Sequence, residues 1–182
     1  METMIPSHQY EPHNGRAGEY LRDLIYGAID GTVTTFAVVA GVAGASLSPS
    51  IVLILGFANL FADGFSMAVS NYLSTKSRNE ISRHKVNELK TAFATFFAFL
   101  IIGVIPLISF LVAATTKNPY FMEKQFVFSG ILTGFSLIII GWFKGKIANK
   151  PKLYSSIQTF LIGGIAALLA FFVGLFVKNL VG

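Results

Sequence analysis

The stretch that decides the fold covers residues 51–73 and has the sequence IVLILGFANLFADGFSMAVSNYL. It is long enough to cross a bilayer, because a membrane-spanning helix needs ~20 mostly apolar residues. Four further windows have the same character, so the sequence predicts an all-α, polytopic membrane protein with five transmembrane helices. The predicted spans cover residues 24–46, 51–73, 91–114, 125–143 and 155–177.

The composition of the whole chain favours the same class. Of its 182 residues, 53% are apolar and 13% are charged, whereas soluble chains average about 25% charged residues. The net charge of +5 does not indicate nucleic acid, because the Lys and Arg residues lie between apolar runs and form no basic face with interleaved aromatic residues. The absence of cysteine excludes disulfides, thiolate metal sites and iron–sulfur clusters.

The sequence predicts two parts, a polar tail at residues 1–23 and a five-helix transporter domain at residues 24–182. A removable signal peptide begins with a basic stretch and a short apolar core. The tail has neither, so the first apolar run is expected to be retained as a span. The brevity of the chain and the lack of sorting tails favour the inner membrane of a prokaryotic cell.

The distribution of Lys and Arg predicts the orientation, since positively charged loops stay in the cytoplasm. A cytoplasmic N-terminus puts 11 of these residues inside and 3 outside. The C-terminus then lies on the outer side.

Two acidic residues, Asp30 and Asp63, fall inside predicted spans. A charge there costs about 2.5–3.5 kcal/mol on insertion scales, so such residues normally face a protein interior, a partner ion or a water-filled path. We therefore expect a transport or ion-binding role for both. The alternative is a structural clasp, in which a hydroxyl such as that of Thr34 or Ser66 holds each protonated carboxyl.

The second span carries a polar stripe around Asp63. Asn59, Asp63, Met67 and Asn71 recur every four residues, which places them on one helix face. Carboxylate and amide oxygens accept Mn²⁺ or Fe²⁺, and a thioether disfavours Mg²⁺ and Ca²⁺. The stripe and Asp30 together form the predicted site for a divalent metal, although Met67 alone could equally fill the core.

Helix rise gives the expected depth of these residues. At ~1.5 Å per residue, Asp30 lies roughly 9 Å past the cytoplasmic start of the first span, and Met67 about 24 Å from the outer end of the second. Met67 is then level with Asp30, with Asp63 further from the cytoplasm. Because metal and protons compete for the same carboxylate oxygens, Asp30 and Asp63 are also the predicted proton-coupling groups.

Several other features have weaker functional interpretations. Gly27-x-x-x-Gly31 favours close helix approach, and Pro106 should kink the third span. The segment at 74–90 is expected to be a short charged helical linker. Possible metal ligands outside the spans are His8, Glu11 and His13 in the tail and Glu80, His84 and Glu88 in the linker; a plain tail and a solvated strip are the alternatives.

Motifs in four spans resemble the vacuolar iron transporter family. They are LRDLIYGAIDGTVTTF at 21–36 with VAGVAGA at 39–45, ADGFSMA at 62–68 with Tyr72 and Ser74, FATF at 93–96 with IPL at 105–107, and TFLIGGIAA at 159–167. The resemblance implies a homodimer that exports Fe²⁺, often also Mn²⁺, from the cytoplasm against protons along a path at the dimer interface. Asp30 and Met67 match the family's path-lining Asp and Met.

The chain departs from that family pattern in two ways. The iron-storing branch has a long Glu-rich domain between spans two and three, where this chain has only the 74–90 linker. The Glu that often precedes the Tyr of span two is Asn71 here, while Asp63 replaces a residue that is usually small. The resemblance is therefore to the short, transporter-like branch.

The expected function is divalent metal export, of Fe²⁺ or Mn²⁺, coupled to proton antiport. The ion is a substrate, and no permanently bound cofactor is expected. The alternatives are a metal-binding membrane sensor or assembly module without transport, and a proton-coupled exporter of organic cations. An enzyme is disfavoured, because His8, His13 and His84 all lie outside the spans and no nucleophile with a base occurs within them. The expected partners are the metal ion, protons, the lipid bilayer and a second copy of the chain.

Overall fold

The computed structural model describes residues 16–81 and 85–181, and the regular structure of these residues is helical. The N-terminal half contains α1 (Arg16–Gly44), α2 (Pro49–Ile81) and α3 (Glu88–Gly103). A single 3₁₀ turn at Ile105–Leu107 leads to α4 (Ile108–Thr116), which is followed by α5 (Pro119–Ile147) and α6 (Lys152–Val181).

Five helical segments are long and apolar enough to cross a membrane, which confirms the predicted fold class. They are Tyr20–Gly44, Pro49–Ile81, Glu88–Thr116, Pro119–Ile147 and Lys152–Val181. The helices extend past the predicted spans: α1 begins inside the predicted tail, and α2 continues through the first half of the predicted linker. The protein is therefore a multi-pass membrane protein.

Helix α1 is the centre of the bundle, since α2, α3, α5 and α6 all pack against it. Small residues allow the closest contacts. A Cβ atom added to Gly27 would lie 2.6 Å from the carbonyl oxygen of Thr95, and one added to Gly31 would lie 2.5 Å from that of Phe99. The Gly27-x-x-x-Gly31 pair is thus used inside the protomer, against α3.

The main apolar cluster lies between α1, α2 and the broken third span. Phe99 and Leu107 are completely buried there, and Phe110 packs edge-on against Phe126 of α5 with ring centroids 4.9 Å apart. The buried members of this cluster are Val39, Val42, Val52, Leu60, Phe99, Leu107 and Phe110.

The third span breaks at Pro106, as predicted. Helix α3 ends at Gly103 and the chain makes one 3₁₀ turn before α4. A break leaves backbone carbonyls without helical partners, and the buried Ser129 satisfies one of them, while the buried Ser109 adds a second bond to α5. The Ser129 hydroxyl of α5 donates to the Pro106 carbonyl at 2.6 Å, and Ser109 donates to the Gln125 carbonyl at 2.8 Å. The break is therefore fixed against α5.

The two ends of the bundle differ in charge. We call the end at which α1 begins the basic end, because the segments there carry 11 of the 14 Lys and Arg residues. At the opposite end, Lys178 donates to the Ser46 hydroxyl at 2.8 Å and so joins α6 to the turn between α1 and α2.

One buried side chain organises the connection from α2 to α3 at the basic end. The Asn79 amide accepts from the Val86 N–H at 3.0 Å and donates to the Val86 carbonyl at 2.7 Å. The Asn79 nitrogen also lies 2.7 Å from the Glu88 carboxylate. These bonds hold the chain next to α2 at the point where α3 begins.

Candidate metal site

Helices α1 and α2 form an antiparallel hairpin that brings Asp30 and Asp63 together. Asp30 lies 14 residues before Gly44, the last residue of α1, and Asp63 lies 14 residues after Pro49, the first residue of α2. At 1.5 Å per residue both are about 21 Å from the turn. One turn further on, the Asn59 amide nitrogen of α2 lies 3.5 Å from the Thr34 hydroxyl of α1, so the two residues share one level of the bundle.

The predicted depth of Met67 was wrong by one helix turn. Asp63, rather than Met67, is level with Asp30, and Met67 lies one turn closer to the basic end. The cause is the position of the turn: α1 ends two residues before the predicted span does, and α2 begins two residues earlier than predicted. Together these shifts move the register between the helices by four residues, which is about one turn.

The carboxylate of Asp30 is not held by the hydroxyl of Thr34. That hydroxyl donates its single hydrogen to the backbone carbonyl of Asp30 at 2.8 Å, and its oxygen lies 3.5 Å from the Asn59 amide nitrogen. Asp30 is half-buried between the helices. The structural clasp considered above therefore has no donor in Thr34, while Asn59 contacts α1 one turn beyond the two carboxylates.

Met67 and Asn71 line a polar cleft that lies between the level of the carboxylates and the basic end. The cleft has a volume of about 380 Å³ and lies mainly between α1 and α2. Its other lining residues are Arg22, Asp23, Tyr26, Ser70, Ser74, Thr75, Arg78 and Thr95. The cleft therefore runs from the basic end to Tyr26 and Met67, one helix turn short of Asp30 and Asp63.

Sequence reasoning missed the α1 side of this cleft. Asp23 and Tyr26 precede Asp30 by seven and four residues, and this spacing puts all three on one helix face. That periodicity was available in the sequence, but it crosses the boundary of the predicted tail at residue 23. The structure shows that α1 continues through this boundary without interruption.

Asn71 takes part in the packing of α2 against α3. Its amide nitrogen donates to the Thr95 hydroxyl at 2.5 Å, and its oxygen accepts from the Thr75 hydroxyl at 3.1 Å. Thr91 extends the network, 3.3 Å from Thr75. Asn71 thus borders the cleft with an amide that already has partners at both ends, and one lone pair of its oxygen remains for a metal ion.

Of the predicted accessory ligands, Glu80 and Glu88 lie within the part of the chain that the structure describes. Within residues 16–81 and 85–181, no three His, Asp or Glu side chains come together in a way that could hold a metal ion. Glu88 accepts from Asn79 instead, while His8, Glu11, His13 and His84 lie outside the described residues.

Helix α2 presents a polar face on the outside of the protomer. Asp63, Ser66 and Ser70 are all exposed there, whereas the exposed Phe61 and Phe65 lie on the opposite side of α2. The outer face of α6, by contrast, is apolar along residues 160–177. Two exposed helix faces of the same protein are therefore suited to different surroundings.

The sequence of the chain matches a known protein family. The family model described as "VIT family" matches residues 21–90 and 79–175, two stretches that meet at the α2–α3 connection. The chain is also similar to Vacuolar iron transporter 1 of Eucalyptus grandis, with 28% identity covering 90% of this chain and 88% of that protein. Vacuolar iron transporter 1 of Arabidopsis thaliana is also 28% identical, over 93% of this chain and 90% of that protein.

A third relative extends the range of organisms. The Vacuolar iron transporter of Plasmodium falciparum is 25% identical, over 87% of this chain and 82% of that protein. The Eucalyptus alignment runs over 226 positions, more than the 182 residues of this chain, so that relative has residues that this chain lacks. Because the family model matches most of the chain, including both helices of the Asp30–Asp63 hairpin, the protein belongs to the VIT family.

Proposed function

We propose that the protein exports a divalent metal ion, Fe²⁺ or Mn²⁺, from the cytoplasm in exchange for protons. The observation that carries the proposal is the pair of carboxylates at one level of the α1–α2 hairpin, with a polar cleft that begins one turn away and extends to the basic end. Metal transport is the activity named for the family relatives. Their names also argue against an enzymatic role.

The side chains around the cleft favour a borderline metal ion. Asp30 and Asp63 offer hard carboxylate oxygens, and Met67, half-buried one turn from Asp63, offers a soft thioether. Mg²⁺ and Ca²⁺ prefer sites made of oxygen ligands alone, whereas Fe²⁺ and Mn²⁺ tolerate mixed ligand sets. Asn59 lies one turn before Asp63 on α2 and Asn71 lies two turns after it. Both supply further oxygens, so an ion can pass between ligands along α2.

Proton coupling follows from the closeness of the carboxylates. Two like charges at short range in a low-dielectric environment repel each other, which favours a bound proton or a bound cation between them. A metal ion that enters displaces protons, and protons that return displace the metal. Exchange of one for the other across the membrane is antiport.

A second copy of the chain completes the proposed site. A single protomer offers two carboxylates and one thioether, and Asp63 lies exposed on its surface. Contact of that carboxylate with lipid would cost about 2.5–3.5 kcal/mol on insertion scales. A twofold dimer with α2 against α2 removes Asp63 from lipid and doubles the ligands to four carboxylates and two thioethers.

The orientation and the membrane are part of the proposal. The basic end is assigned to the cytoplasm by the excess of Lys and Arg there, so the cleft is the cytoplasmic entrance and the C-terminus lies outside. The relatives are eukaryotic and are named vacuolar transporters. They lend no support to the predicted prokaryotic inner membrane.

The deciding experiment measures metal and proton flux together. Proteoliposomes that contain the purified protein and an internal pH-sensitive dye receive Fe²⁺ or Mn²⁺, with Asp30→Asn as the test variant and Ile165→Ala, at an exposed position on α6, as the control. We expect metal entry with proton exit in the wild type and the control, and neither in Asp30→Asn. Metal binding without flux would favour a sensor or assembly module. Flux of organic cations alone would favour a proton-coupled exporter of organic cations.

A further inference from the structure

A large apolar groove lies on the outside of the bundle, on another face of α1 from the polar cleft. Its volume is about 800 Å³, within the range of about 300–1,000 Å³ that is usual for ligand pockets. Ile25, Ala28, Ala98 and Ile140 are buried beneath it and form its floor. The groove exists because α3 and α5 both pack against α1 but make little contact with each other.

The walls of the groove are apolar side chains that remain exposed in the protomer. Leu21 and Leu24 come from α1, Phe97 and Ile101 from α3, and Ile139 and Phe143 from α5. Polar groups occur only at the basic end, where Lys146 and Asn149 line the mouth. From Ile139 to Lys146 the groove extends about 10 Å along α5, which is less than the ~15 Å of one leaflet of the hydrocarbon core.

Four Lys residues lie around the mouth of the groove, within residues 144–152. Lys144, Lys146, Lys150 and Lys152 follow one another around the end of α5, and the last acidic residue of the sequence is Glu123, at the opposite end of the bundle. Lys146 and Lys152 both lie near the ring of Trp142, at 5.8 and 4.9 Å from its centroid. Basic pockets between transmembrane helices recognise anionic lipid headgroups, and Trp commonly sits at the membrane interface.

We propose that this groove binds an anionic phospholipid. One acyl chain lies along the apolar floor between α3 and α5, and the phosphate pairs with Lys146 at the mouth. An acyl chain needs an apolar channel that opens sideways to the bilayer, and an anionic headgroup needs a cation at headgroup level. The groove provides both, at positions that take no part in the proposed metal path.

The test compares the affinity of the purified full-length protein for two lipids by native mass spectrometry after delipidation. Dioleoylphosphatidylglycerol and dioleoylphosphatidylcholine share their acyl chains and differ in headgroup charge. We expect tighter binding of the anionic lipid, and about fivefold loss of that preference in Lys146→Gln, the effect of one Lys at the membrane surface. Lys124→Gln is the matched control, because Lys124 also lies over an aromatic ring, that of Tyr120, but at the opposite end.

A second pair of variants tests the acyl chain. Ile101→Trp should block the groove and weaken binding of both lipids, whereas Ile165→Trp, at a similarly exposed position on α6, should not. Equal binding of the two lipids, an unchanged preference in Lys146→Gln, or equal loss in Lys124→Gln would overturn the proposal. Displacement of the lipid by inorganic phosphate at equal concentration would also overturn it, since a free anion would then be the ligand. If Ile101→Trp does not fold, the two Lys variants still decide.

Discussion

Asp30 and Asp63 lie at the same level of two antiparallel helices, each 14 residues from its end of the turn that joins them. Two carboxylates at one level inside a membrane favour a cation or a proton near them. A tight hairpin also fixes the two residues relative to each other, because α1 and α2 cannot slide past a turn of four residues, 45–48. We therefore expect the pair to act as one ion-binding unit.

The first prediction is that the two carboxylates are coupled in transport. Asp30→Asn and Asp63→Asn should each lower metal flux by more than about tenfold, the lower end of what even indirect changes cost at a metal site. The double variant should be little worse than either single one, because residues that act as a unit are not additive. Flux measurements on all four proteins check this; multiplicative losses would mean that the two residues act in separate steps.

The second prediction concerns metal preference. Met67→Leu conserves volume, so it should fold normally with a cost below about 1.5 kcal/mol. It removes only the thioether, and the ratio of Fe²⁺ or Mn²⁺ flux to Ca²⁺ flux should fall. Competition assays with mixed ions measure this ratio. If Met67 merely fills the core, the ratio stays at the wild-type value, as it should in the control Val69→Leu, an exposed residue of α2.

The third prediction tests the contact between α1 and α3. Gly31→Ala places a Cβ atom 2.5 Å from the Phe99 carbonyl oxygen, so the helices have to move apart, at a cost of about 1–3 kcal/mol. A lower midpoint of thermal unfolding in detergent is expected. Gly164→Ala is the control, since no atom lies within 4 Å of its added Cβ. Equal midpoints for the two variants would mean that the helices separate without cost.

The five spans were predictable because hydropathy depends on composition over ~20 residues, and errors at single positions average out. Pro106 was predictable because proline removes a backbone donor wherever it stands. The level of Met67 was not predictable in this way. An error of two residues on each side of the α1–α2 connection shifts the predicted contact by four residues, which is a full turn of helix. The register between two helices depends on how they pack, and the hydropathy of single residues gives no information about that packing.

Within the candidate site, helical spacing placed the polar side chains on one face of α2, but it did not show which residues they contact. The stripe from Asn59 to Asn71 was found by helical spacing, but the spacing gave no sign that Asn71 bonds Thr95 of α3. Likewise, the Gly27–Gly31 motif indicated close approach without naming the partner helix. The groove over Ile25 and Ala28 was invisible to the sequence, because it arises from a gap between α3 and α5.

The fourth prediction concerns the connection between α2 and α3. Asn79→Ala leaves the buried N–H and carbonyl of Val86 without partners, and each unsatisfied group costs about 1–3 kcal/mol. Residues near Lys85 should then open more often, which increases amide exchange at Val86 and tryptic cleavage at Lys85. Glu80→Gln, an exposed neighbour on α2, should leave both rates unchanged. Unchanged exchange in Asn79→Ala would show that other contacts hold the connection.

The last prediction tests the dimer directly. The sequence has no cysteine, so a single introduced thiol can pair only with its equivalent in a second copy. Ser66 and Ser70 are exposed on the same face of α2 as Asp63, and a twofold axis near this face brings each of them close to its symmetry mate. Ser66→Cys or Ser70→Cys should therefore form a disulfide-linked dimer in native membranes on mild oxidation.

The control for this experiment is Leu168→Cys on the apolar face of α6, which is similarly exposed in the protomer. Disulfides require Cα atoms within about 7 Å of each other, so random collisions in the membrane should link this variant only slowly. Addition of Fe²⁺ or Mn²⁺ should change the rate of cross-linking at Ser66→Cys if the ion binds between the two α2 helices. Equal cross-linking of α2 and α6 variants would contradict the proposed interface, and Asp63 would then need another partner to shield it from lipid.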